Sequence, residues 1–123
     1  MKKKILIIDD SEFIRLSIKF MLEEMGFEIV EAESGPAALK VLEAEKDISA
    51  AFVDILMPEM DGFELICKIR ENKAFENITL IMVTTETEME QVEKALEFGA
   101  NEYIMKPVMK DVIESKLAIL GLI

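Results

Sequence analysis

Lys4-Ile5-Leu6-Ile7-Ile8-Asp9-Asp10 decides how this chain folds: four branched apolar residues in a row, then two adjacent acids. A short continuous run of this kind reads as a strand covered on both faces, and such strands belong to parallel sheets. The segment Ala50-Ala51-Phe52-Val53-Asp54 repeats the pattern and ends on a third acid. Both acidic ends therefore emerge where a buried strand meets its loop. Gathering like charges there is costly unless a metal or a lysine neutralises them, so the pattern points to a functional site.

Further short apolar runs at Glu28 to Glu31, Thr79 to Val83 and Glu102 to Ile104 alternate with longer segments of helical period. This predicts five strands and five helices in alternating βα units, which build a doubly wound α/β fold: a parallel sheet with helices on both faces. The first helix is expected from about Glu12 to Met25, capped by Ser11 and stopped by Gly26, with Phe13, Ile14, Leu16, Ile18 and Leu22 as its apolar side. Ser34 caps the second helix. Asp61 and Gly62 precede the third, with Leu65, Ile66 and Ile69 inward. A capping box from Thr87 to Glu90 opens the fourth, which ends near Gly99, and the fifth covers Lys110 to Leu120. With no repeat or linker in view, the reading is one domain over residues 1–123, compact from about Lys3 to Leu120. Sheets of this type place their sites at the carboxyl ends of the strands, where Asp9, Asp10, Asp54, Thr84 and Lys106 all fall.

Composition narrows the function. Half of the 123 residues are apolar, enough for one conventional core. Twenty-five acids against 14 bases give a net charge of −11, which argues against direct nucleic-acid or anionic-lipid binding and suits a divalent cation or a basic protein partner. The chain has no histidine, which excludes a triad base, the usual zinc site and an internal phosphohistidine; any histidine chemistry must come from a partner. Lys2, Lys3 and Lys4 precede too short an apolar run for a signal peptide, and no stretch reaches membrane-spanning length, so a cytoplasmic protein is expected. Cys67, the lone cysteine, sits among Leu65, Ile66 and Ile69 and reads as a small core residue.

The three acids suit Mg²⁺, a hard cation that takes one or two carboxylates together with waters and a phosphate oxygen. Asp10 and Asp54 fit direct ligation, Asp9 fits ligation through water, and the Leu56 backbone carbonyl completes the protein's share. Three carboxylates are then balanced by one Mg²⁺ and the Lys106 ammonium. In that setting Asp54 is a nucleophile for a phosphoryl group, and the Thr84 hydroxyl is available to one phosphoryl oxygen.

Asp9-Asp10, the segment Asp54-Ile55-Leu56-Met57-Pro58-Glu59-Met60-Asp61-Gly62, Thr84 and Lys106-Pro107 together resemble the receiver domain of two-component response regulators. The likeness covers nearly the whole chain, and in length it is most similar to stand-alone chemotaxis receivers. It implies a flavodoxin-like (βα)5 fold with strand order 2-1-3-4-5 and a cis peptide between Lys106 and Pro107. It further implies that Asp54 takes phosphate from a histidine kinase or phosphotransfer protein, that Asp9 and Asp10 hold Mg²⁺, and that Lys106 pairs with the phosphoryl group. Thr84 and Tyr103 would form the switch, which reshapes the face of the fourth helix, fifth strand and fifth helix for an effector protein. Such a module catalyses only its own phosphorylation and dephosphorylation. Leu56 and Glu86 flank the reactive position where the family varies, and Leu56 lacks the amide that would orient an attacking water. Thr85 stands where receivers usually carry alanine or glycine, and its bulk narrows access to Asp54.

Other readings stand beside these. Tyr103 also reads as an edge aromatic packed on the fourth helix, and the acid run Glu86 to Glu97 as a solvated helix face. The methionines, among them Met82, Met89, Met105 and Met109, read first as core filling and second as a partner surface. The apolar end Leu117 to Ile123 is open to packing on the core, pairing with a second copy or leading onward. Three rival classes are a receiver fragment of a multidomain transcriptional regulator, a Mg²⁺-dependent phosphatase with an aspartate nucleophile, and a nucleotide-binding protein. The phosphatase type carries Asp-x-Asp where this chain has Asp9-Asp10-Ser11, and no glycine-rich phosphate loop follows any strand.

Overall fold

In the computed structural model, which describes residues 2–123, branched residues dictate the sheet. Strands β1 (Lys4–Ile8), β2 (Glu28–Ala32), β3 (Ile48–Asp54), β4 (Thr79–Thr84) and β5 (Glu102–Met105) pair in parallel in the order β2-β1-β3-β4-β5. β1, β3 and β4 are inner strands with nearly every residue buried, which is why they read as unbroken apolar runs, whereas the edge strands β2 and β5 are half-exposed. The helices are α1 (Glu12–Glu24), α2 (Gly35–Ala44), α3 (Gly62–Glu71), α4 (Met89–Glu97) and α5 (Lys110–Ile119), with single 3₁₀ turns at Lys73–Phe75 and Glu86–Glu88. Leu6 and Ile8 join Leu42 of α2, Leu65, Ile66 and Ile69 of α3 and Val92 of α4 in one core layer. Ile5 and Ile7 join Ile18 and Leu22 of α1 and Ile113 and Leu117 of α5 in the other. This is the flavodoxin-like (βα)5 arrangement, with five parallel strands and helices on both faces.

Local chemistry places the helix starts. Ser11, Ser34 and Asp61 each accept the N–H three residues on, from Ile14, Ala37 and Glu64, and Gly26 turns the chain after α1 with φ of 95°. The Lys106–Pro107 peptide is cis. At the opposite end of the sheet, Arg70 leaves α3 to donate to the carbonyls of Phe75, Ile78 and Gly99 and to Asn101 Oδ1, which also accepts the Leu80 N–H.

Four expectations are corrected. The capping box lies at Thr85 and Glu88, not Thr87 and Glu90: the Glu88 side chain accepts the Thr85 N–H at 3.1 Å, a 3₁₀ turn follows, and α4 begins only at Met89. Phe13 and Leu16 are not on the inward side of α1; Phe13 is 81% exposed, and Ile14, Ile18 and Leu22 face the sheet instead. Cys67 is partly exposed, because it lies one position beyond the buried pair Leu65 and Ile66 and so about 100° further round the helix. Met82 is buried and Met89 packs on the first layer, but Met109 is exposed and fills no core. At the far end Leu120 and Leu122 pack on the second layer while Ile119 and Ile123 face outward.

Gly62 fixes the start of α3 against β3. A Cβ built there falls 2.5 Å from the Asp54 carbonyl oxygen and 2.9 Å from the Ile55 Cα, both backbone atoms that cannot turn aside. Gly62→Ala is therefore expected to cost about 2 kcal/mol or more of stability by overpacking, measured as a lowered Tm. An unchanged Tm would show that α3 can retreat from the strand freely.

Candidate functional site

Parallel pairing in register brings the carboxyl ends of β1, β3, β4 and β5 to one edge of the sheet, and each delivers one or two polar side chains there. Asp9 and Asp10 follow β1, Asp54 ends β3, Thr84 ends β4 and Lys106 follows β5. One carboxylate oxygen from each of Asp9, Asp10 and Asp54 lies within 4.8 Å of the others. Asp9 and Asp54 are buried, 2% and 3% exposed, whereas Asp10 is exposed. Lys106 reaches across from the β5 side and donates from Nζ to Asp54 Oδ1 at 3.0 Å, and its backbone N–H donates to the Thr84 carbonyl at 2.7 Å. Leu56 stands exposed at the rim. Tyr103 is half-buried on β5 against the first core layer, and the Lys116 ammonium lies 5.1 Å from its ring centroid.

Hydrogen bonds hold Asp9 in place without completing it. Asp9 Oδ1 accepts the Ser11 N–H at 2.9 Å, and Arg15 donates to the Asp9 carbonyl at 2.6 Å while pairing with Glu31. Asp9 Oδ2 is buried and has no hydrogen-bond partner; the Lys106 ammonium is 4.0 Å away. A buried carboxylate oxygen left open beside two other carboxylates is what an oxygen-seeking cation completes, so the donor set fits Mg²⁺.

The crowding shifts protonation. Burial pushes the Asp54 carboxyl up from 3.8 to about 6, the Asp9 charge adds to the rise, and the Lys106 hydrogen bond opposes it. Burial likewise raises Asp9, against the Ser11 N–H and the Lys106 charge. Burial alone would lower Lys106, but its hydrogen bond to Asp54 and the charges of Asp54, Asp9 and Glu88 outweigh that and hold it raised.

Glu88 was not singled out by the sequence. It is 7% exposed, and Oε1 accepts the Thr84 hydroxyl at 3.1 Å as well as the Thr85 N–H. It is thus the exception to the solvated acidic face expected from Glu86 to Glu97. Arg15 was also missed; its spacing from the acids carried no signal, because the contact is to a backbone carbonyl.

Residues 5–118 match the family model for the response regulator receiver domain. The chain belongs to that family. It is 40% identical over 117 residues to the chemotaxis protein CheY1 of Helicobacter pylori, covering 94% of each chain. It is 41% identical over 115 residues to the chemotaxis protein CheY homolog of Campylobacter jejuni, covering 93% of this chain and 88% of that one. Among solved structures, the chemotaxis response regulator CheY4 of Vibrio cholerae superposes with a TM-score of 0.89 at 28% identity, covering 98% and 99% of the two chains. A CheY-like receiver domain from Methanospirillum hungatei gives 0.88 at 34% identity, covering 98% and 94%. The protein is therefore a CheY-like receiver domain of the two-component type, a class that works as a signalling switch and binds Mg²⁺ at an acidic pocket.

Because the receiver's Asp54 binds its proton more tightly when folded than when unfolded, protonation favours the folded state. That contribution is fully present below about pH 4 and is lost as the pH rises through about 6. The ionised form then costs on the order of 2 to 3 kcal/mol. Asp54→Asn is expected to raise the Tm of the metal-free protein at pH 7, with the advantage shrinking towards pH 5 and on adding Mg²⁺. A pH-independent difference between the two proteins would refute this account.

Proposed function

We infer that this receiver, read as one unit over residues 1–123, is a phospho-acceptor switch in which Asp54 takes a phosphoryl group from a phosphohistidine of a sensor kinase or phosphotransfer protein. The observation that carries the reading is the buried Asp54 carboxylate held at 3.0 Å by Lys106 beside the open Oδ2 of Asp9. An Asp54 oxygen attacks the phosphorus, the P–N bond breaks, and its electron pair returns to the donor imidazole, which takes up a proton; the product is an aspartyl phosphate. The absence of histidine from the chain agrees with a donor supplied in trans.

Asp9, Asp10, Asp54 and the Leu56 carbonyl are the groups that would hold Mg²⁺, which supplies positive charge to a transferring phosphoryl group. Lys106 stays within reach of Asp54 and offsets the added charge. Burial around Asp54 and Thr84 keeps bulk water from the acyl phosphate. Thr84 then offers its hydroxyl to a phosphoryl oxygen, and Tyr103 takes up the space. The face formed by α4, β5 and α5 changes shape as a two-state element biased by local charge, and an effector protein reads it. No described helix is long and apolar enough to cross a membrane. The 40% identity to a chemotaxis protein supports output by protein contact.

Incubation with Mg²⁺ and acetyl phosphate should add one phosphoryl group by intact mass, and Asp54→Asn or a chelator should abolish it. Equal labelling of the Asp54→Asn protein would overturn the assignment, and turnover of a generic phosphate ester would favour the phosphatase class instead. Leu56→Asn is expected to shorten the aspartyl phosphate lifetime by a factor on the order of ten, since an amide at the rim can orient the attacking water. Equal decay rates would dismiss that role for Leu56.

A further inference from the structure

The Thr84 hydroxyl has one proton and two acceptors in reach, the Thr85 carbonyl at 3.2 Å and Glu88 Oε1 at 3.1 Å. A carboxylate is the stronger acceptor, so the proton belongs to Glu88. Among the described residues Glu88 has no ion-pair partner within 4.0 Å, and its buried carboxylate is held by this hydroxyl and the Thr85 N–H alone. Thr84 makes no hydrogen bond to Asp54 here. Its hydroxyl is tied to the 3₁₀ turn Glu86–Glu88 that runs directly into α4.

We propose that Glu88 is a positioning residue that holds the Thr84 hydroxyl on the start of α4 and so sets how strongly Asp54's pocket takes up a phosphoryl group. The proposal rests on the phospho-acceptor reading. If Thr84 turns its hydroxyl to a phosphoryl oxygen, Glu88 loses one of its two hydrogen bonds just as an anion enters the neighbouring pocket. A buried carboxylate so stripped must leave its place, which draws the turn and the first residues of α4 with it. Glu88 therefore opposes phosphorylation and also transmits it: the same bond that must break is the bond that ties the site to the helix.

The test is a double-mutant cycle on binding of beryllofluoride with Mg²⁺, a stable phosphoryl mimic, followed by amide NMR at Thr84 and Thr85. Glu88→Ala should bind the mimic about tenfold more tightly than wild type. Part of that gain is the removal of a negative charge and persists without Thr84. The part that runs through the hydroxyl should vanish in the Thr84→Ala background, leaving a gain at least about threefold smaller. Where Glu88→Ala fails to fold, Glu88→Gln carries the same cycle, since it keeps the side-chain volume and weakens the acceptor. An equal effect of the Glu88 substitution in both backgrounds, or none in either, overturns the proposal while leaving the phospho-acceptor reading intact. Failure of the wild-type protein to bind the mimic overturns both.

Discussion

The 3.0 Å contact between Lys106 and Asp54 is the interaction on which the carboxyl-end edge of this molecule depends. It joins a residue following the edge strand β5 to the last residue of the inner strand β3, across β4. Without it the sheet would present two buried carboxylates, and a third close by, to one another with no cation in contact. With it, the pocket is only partly compensated: burial, and for Asp54 the neighbouring Asp9 charge, still holds both carboxyls above their ordinary range, and one Asp9 oxygen stays unsatisfied. A stable scaffold would replace such a group by apolar residues of similar volume. Its presence is a stability cost localised at the edge where parallel sheets bind ligands, and it leaves the edge ready to respond when charge arrives.

Much of this was legible in the sequence because it is local or periodic. Runs such as Ile5-Leu6-Ile7-Ile8 admit only an inner strand once helices alternate with them, and parallel pairing then sends Asp9, Asp54, Thr84 and Lys106 to the same edge whatever the loops do. Ser11, Ser34 and Asp61 act within three residues of themselves, so their capping roles needed no tertiary information. The failures share a different cause. In α1 the sets Ile14, Ile18, Leu22 and Phe13, Leu16, Phe20 both satisfy helical spacing, and only the sheet beneath chooses between them. In Thr84-Thr85-Glu86-Thr87-Glu88-Met89-Glu90 two capping patterns overlap two residues apart, and the choice is made by where Glu88 finds a buried hydroxyl.

Cys67 teaches the same lesson at one position. Its apolar neighbours in sequence suggested a shared interior, but consecutive residues of a helix do not share a face, and it points away from Leu65 and Ile66. Glu88, Arg15 and the open Asp9 oxygen lay beyond the sequence for a related reason. Each is defined by how a strand end and the turn after it are set in three dimensions, so that a side chain meets a hydroxyl, a carbonyl or nothing, and composition cannot encode that.

Arg70 gives the architecture its asymmetry. Its guanidinium gathers the carbonyls of Phe75, Ile78 and Gly99 and the Asn101 side chain, which in turn takes the Leu80 N–H, at the amino ends of β4 and β5. Among the described residues no side chain gathers as many bonds at their carboxyl ends, where the Lys106 N–H meets the Thr84 carbonyl. β4 and β5 are thus built as cantilevers, clamped at the root and loaded at the tip. With the two strands fastened at the root and paired along their length, their register does not depend on what the tips hold.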